Sequence, residues 1–134
     1  DTLEGRFELL TVFATLALMR LRADPGAGQL AQHFTDILFR NVDSGLREAG
    51  VGDLTVPKKM RKLAGVFYGR LEVYEGALVA KDASALAKAL SRNVGVSAAF
   101  AAELARLSLA TAAAQADRPV AALLGAEGWS APAT

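Results

Sequence analysis

Apolar residues recur along the chain at the three- and four-residue spacings of an α-helix, and no stretch alternates apolar with polar residues long enough to make a strand. In the first helix Leu3, Phe7, Leu10, Ala14, Ala17 and Leu21 set one face, while Leu9, Val12, Phe13, Leu16 and Leu18 fill the remaining sides. A helix apolar nearly all round belongs inside a domain. Asp1 with Glu4 three residues on has the form of a capping box. Residues 23–28 hold a proline and two glycines and predict a turn. A second helix is expected over 29–49, with Leu30, Phe34, Ile37, Leu38 and Val42 inward and Gly50 as its stop. After a tight connection at 50–54, Thr55 is the expected cap of a third helix with Pro57 in its first turn, where a missing N–H costs nothing. That helix continues to Ala80, nearly 40 Å long at about 1.5 Å per residue.

Asp82 caps a short fourth helix through Leu86, Leu90 and Arg92, and residues 93–96 turn. Ser97 then caps a fifth helix carrying Phe100, Leu104, Leu107 and a run of alanines. Asp117, Arg118 and Pro119 read as the cap and start of a short last turn through Val120, Leu123 and Leu124. Residues 125–134 are expected to be irregular, with Trp129 folding back onto the body. The pattern predicts an all-α fold: one compact domain over residues 1–134, of about five to six helices around the long third one.

The third helix has two non-polar sides. Met60, Leu63, Ala64, Phe67, Leu71, Tyr74 and Leu78 form an ordinary core stripe. The opposite side carries Gly65, Val66, Gly69, Val73, Gly76, Ala77 and Ala80. Each glycine inside a helix costs up to about 1 kcal/mol relative to alanine. Close approach of another backbone is the usual compensation, because small residues four apart let helices touch. Two occupants fit: a helix of the same domain, such as the alanine-rich fifth, or the helix of a partner docking in the groove. For the second, Gly65, Val66, Tyr68, Gly69, Val73 and Gly76 are the candidate binding residues.

Charge enters at the head of the same helix. Lys58, Lys59, Arg61 and Lys62 place four cations in five residues, where the helix dipole favours anions instead. Stability gains nothing from this. The cluster suits phosphate, RNA backbone or acidic side chains, or else is a solvated face partly neutralised by Glu48 and Asp53. Across all 134 residues the net charge is +1, so no global field draws the chain to nucleic acid or anionic lipid.

Composition then removes several classes. Hydrophobic residues at 52% exclude a disordered tail. The absence of cysteine and the single histidine, His33, exclude a disulfide framework and a Cys- or His-built metal site. The uncharged run over 9–19 is too short for a bilayer, which needs about twenty residues. It also lacks the preceding positive charge of a signal peptide, so a cytoplasmic chain is expected. The sequence starts at Asp1 and is apolar almost at once, which suggests a trimmed, domain-length chain. His33 with Asp36 has no nucleophile beside it, and Glu72 with Glu75 reads as a solvated pair. The glycine pairs at 26 and 28 and at 50 and 52 lack the strand and third glycine of a dinucleotide fingerprint. No catalytic residue, cofactor or metal ligand is indicated, and an enzyme is not expected.

The stretch over 46–53, followed by Val56, the basic run at 58–62 and Phe67-Tyr68-Gly69-Arg70, resembles the ubiquinol–cytochrome c chaperone family. Residues 1–8 resemble that family's entry into its first long helix, and 90–94, with Arg92-Asn93, a later element. The resemblance covers about residues 1 to 95. It implies an all-helical, non-enzymatic assembly factor for cytochrome b of respiratory complex III. The partners implied are newly made cytochrome b or another apolar membrane protein, with the ribosome and a small partner protein as further candidates, and no DNA. Its place would be the cytoplasm or the periphery of the inner membrane. On that footing Lys58, Lys59, Arg61 and Lys62 form a basic rim for ribosomal RNA or an acidic partner, beside an apolar groove around Val66, Tyr68 and Val73. Arg47, Glu48, Asp53 and Arg70 are candidates for a structural charge network bracing the loop. The alternative is a ribosome- or RNA-binding module in which the basic cluster is the whole function.

Overall fold

Five α-helices and three short 3₁₀ turns make up residues 2–129, the part of the chain described by the computed structural model. The α-helices are α1 (Leu3–Arg22), α2 (Gly28–Glu48), α3 (Val56–Val79), α4 (Ala83–Val94) and α5 (Ala98–Ala116). The 3₁₀ turns are Pro25–Ala27, Val120–Leu124 and Ala126–Gly128, and no strand occurs among the described residues. The all-α architecture with a long third helix follows the periodicity.

The helix ends show where local chemistry decides and where it does not. Asp82 accepts the Ala85 N–H at 2.9 Å and Ser97 accepts the Phe100 N–H at 3.2 Å, as their sequence positions predict. Gly50 stands just past α2 with φ +87° and Gly95 past α4 with φ +72°, backbone angles that favour glycine. Three expected caps change. The α1 cap is Thr2, whose extended backbone aims its hydroxyl at the Gly5 N–H, 3.0 Å away; the proposed cap Asp1 lies outside the described residues, as does the tail beyond Trp129. Thr55 already has helical angles, so its side chain caps nothing; its N–H closes a turn onto the Gly52 carbonyl at 2.8 Å. Before the turn at 120–124 the cap position is Pro119 rather than Asp117.

Two cores share α1 and α3. In one, Val12 and Leu16 of α1 meet Tyr74 and Leu78 of α3, Leu86 and Leu90 of α4, and Ala101 and Ala105 of α5. Trp129 folds onto this core as expected, its ring edge-on to Phe13 at 6.0 Å and its indole N–H donating to the Leu123 carbonyl at 3.0 Å. In the other, Ala14 and Leu18 meet Leu38 of α2 and Phe67 and Leu71 of α3. Here coverage is thinner. Leu38 and Leu46 are the buried residues of α2, whereas Leu30 and Ile37, expected inward, are exposed. One stripe of α2 rests on α1 and α3, and its flanks face water.

Candidate functional site, an apolar groove with a cationic rim

Between α1, α2 and α3 lies an open groove of about 450 Å³. Its apolar walls come from Leu3, Phe7 and Leu10 of α1, Val42 and Leu46 of α2, and Leu63 and Val66 of α3. Gly45 lines the α2 wall, and a Cβ added there would meet nothing within 4 Å, so the wall is set back at that point. Leu3 and Leu10 remain 47% and 42% exposed, an apolar surface that the domain itself does not cover. Water in contact with such surface is costly, by about 25 cal/mol per Å².

Charge is arranged around this surface in two ways. Glu8 and Arg70 form an ion pair on the wall, with Arg70 Nη2 to Glu8 Oε1 at 3.1 Å and Arg70 Nε to Glu8 Oε2 at 3.1 Å. Glu8 is buried, and the pairing supplies the partner that a carboxylate removed from water requires. Lys59 and Lys62 also line the groove, and both are exposed. Neither makes an ion pair among the described residues, so their charge is available at the mouth.

The residues singled out from sequence divide among three places. Val66 enters the groove wall. Gly65, Gly69, Val73 and Gly76 are exposed on the adjoining face of α3, and a Cβ added at any of the three glycines would meet nothing within 4 Å. The fifth helix does not fill this notch: α5 packs on α4 and α1, because its alanines Ala101 and Ala105 mesh with the first core. Tyr68 lies around the other side of α3, in an aromatic cluster with Phe39 and Phe67 at ring distances of 6.1 and 5.3 Å.

Lys58 and Arg61 are exposed like Lys59 and Lys62 but do not line the groove. The four charges thus share one end of α3 without all facing one way. Arg47 bonds Asp43 at 2.8 Å and Asp53 at 2.7 Å. Those carboxylates, Asp43 first, hold its guanidinium pKa above the ordinary value. Arg70 is occupied by Glu8 rather than by this loop cluster, and Glu48 is exposed at the end of α2 without joining either pair.

Elsewhere, Asn93 donates to the Tyr74 hydroxyl at 3.1 Å, and burial raises the pKa of that phenol above 10.0. His33 is exposed, and Asp36 accepts from Gln32 at 2.9 Å. No group of three metal-ligating side chains is found among the described residues, and no helix among them is long and apolar enough to cross a membrane.

The groove contributions of α1 and α2 were not singled out from the sequence. A signal was present: α1 is apolar on more sides than its neighbours can cover. The Glu8–Arg70 pair, 62 positions apart, had none.

Comparison with known proteins gives this helical domain its class. The family model described as ubiquinol-cytochrome C chaperone matches residues 1–128, and the chain belongs to that family. Among solved structures it is similar to the crystal structure of the Cbp3 homolog from Brucella abortus. The two are 40% identical, with a TM-score of 0.80 over 96% of this chain and 72% of that one. A search of curated proteins finds no match.

Proposed function

We propose that this protein is a non-enzymatic assembly chaperone that shelters an apolar segment of newly made cytochrome b during biogenesis of respiratory complex III. The supporting observation is the groove itself: leucines left half in water beside two lysines without partners. Family membership points to the same class of work. A few hundred Å² of client surface covered here is worth several kcal/mol at about 25 cal/mol per Å². Association entropy takes back much of that gain, so the complex forms and still releases.

Val66, Gly69, Val73 and Gly76 stand at spacings of three, four and three and form one stripe along α3, leading away from the groove. A client helix laid on this stripe approaches closely at the glycines and places one or two side chains in the groove. Lys59 and Lys62 then meet acidic or carbonyl groups at the end of the client segment.

Replacing Leu10 and Val66 together by glutamate in the source cells tests the reading, because neither is fully buried and the fold should tolerate both. Selective loss of the b-type haem signal from membranes, with the variant protein at normal abundance, is the expected result. An unchanged b-type signal at normal abundance contradicts the reading.

A further inference from the structure

We propose that the turn between α2 and α3 is a docking tip for an anionic lipid bilayer, inserting Leu54 between headgroups while Lys58 and Arg61 hold the surface charge. Leu54 is 98% exposed, the barest large apolar side chain among the described residues. It is held outward rather than left loose. The Thr55 and Val56 N–H groups both bond the Gly52 carbonyl, at 2.8 and 3.1 Å, and Asp53 is tied to Arg47 at 2.7 Å. A lone exposed leucine is common on protein surfaces; what distinguishes this one is its fixed place at a turn beside a cluster of cations.

The surrounding charge selects the partner. Lys58, Lys59, Arg61 and Lys62 follow Leu54 within about two helical turns, and none makes an ion pair among the described residues. Of the nearby carboxylates, Asp43 and Asp53 share the single charge of Arg47, and the negative charge they retain, with Glu48 and with Glu4 on the groove wall, is less than the four cations carry. An aliphatic tip backed by cations without partners complements an anionic membrane surface, where each basic residue adds attraction and the side chain finds hydrocarbon. RNA fits less well. Its bases are gripped by stacking on aromatic rings, and no aromatic residue lies between positions 40 and 66. Since Lys59 and Lys62 also line the groove, docking would bring its mouth to the membrane where an apolar client emerges. The tip itself stands independently of the client reading, because Leu54, Lys58 and Arg61 do not line the groove.

Flotation of the purified chain with vesicles tests this, comparing phosphatidylcholine mixed with phosphatidylglycerol against phosphatidylcholine alone at about 0.1 M salt, where contact charges still act. Binding to the anionic vesicles only is expected. Leu54→Ser should weaken it about tenfold, and each of Lys58→Glu and Arg61→Glu by at least about fivefold. Ala102→Glu, on exposed α5, should leave it unchanged, and because the assay contains no client protein, failure here is separable from failure of the client reading. Three results would overturn the proposal: no vesicle binding, vesicle binding indifferent to Leu54→Ser, or ribosomal RNA displacing the vesicles from the wild-type chain with Leu54→Ser retaining full RNA affinity.

Discussion

The two sides of α1 are finished differently. Towards α4 and α5, small residues let the helices close: Ala89, Ala101 and Ala105 are buried, and Leu86 and Leu90 are sealed at 1% and 0% exposure. Towards α2, bulky residues meet an incomplete cover: Leu3 and Leu10 stand partly in water around an open groove, and Leu30 and Ile37 of α2 are exposed outside it. Both sides hold sealed residues, Leu18 and Phe67 among them on the α2 side, but only towards α2 does apolar surface stay open to water. The same residue type, leucine, serves both ends according to what its neighbours cover.

Truncating one leucine on each side gives the largest expected contrast. Leu90→Ala should lower the unfolding free energy by about 2–5 kcal/mol, since it empties a sealed site. Leu10→Ala should cost under about 1 kcal/mol, because much of that side chain is already hydrated. Denaturant titration of both variants measures the difference, and equal losses would erase the distinction.

Tyr74, in the closed core, sharpens the contrast through pH. Its phenol pKa is raised in the folded chain, mainly by burial, so the folded state keeps its proton where the unfolded state releases it. Stability from this group is present below pH 10 and declines as pH rises above it. Tyr74→Phe should cost about 1 kcal/mol at neutral pH by leaving the Asn93 side-chain N–H without its acceptor. It should also flatten part of the alkaline decline, and identical alkaline curves for the two proteins would contradict that assignment.

The smallest expected effect is a gain. Gly69→Ala places a methyl group in open space on a helix and should stabilise the chain by about 0.5–1 kcal/mol. If a client helix uses the notch, the same variant should capture less client despite being more stable. A stabilised variant with undiminished capture would move the client off this stripe.

How much of this was legible in the sequence depends on the range of each interaction. Asp82, Ser97 and Gly50 were readable because a cap or stop is settled within a few residues. Thr55 stands at the cap position of α3 but its helical backbone angles deny its side chain the bond, and Asp117 ends α5 two positions before the cap Pro119, details of backbone angle that residue type does not fix. The glycine notch of α3 stood out from its composition, but its vacancy did not, since α5 could have covered it. Leu3, Leu10 and Val42 were visibly apolar. Their place in a groove depends on how α1 and α2 pack, which periodicity does not encode. The partnership of Arg70 with Glu8 likewise awaited the packing of α1 on α3.

The most direct test of an open, client-holding side is a pair of photo-crosslinking side chains placed singly in the source cells, one at Leu10 in the groove and one at Ala102 on exposed α5. Capture of cytochrome b from position 10 and not from position 102 is the predicted result. Equal capture from both, or none from position 10 while the labelled protein is folded and abundant, would contradict the account.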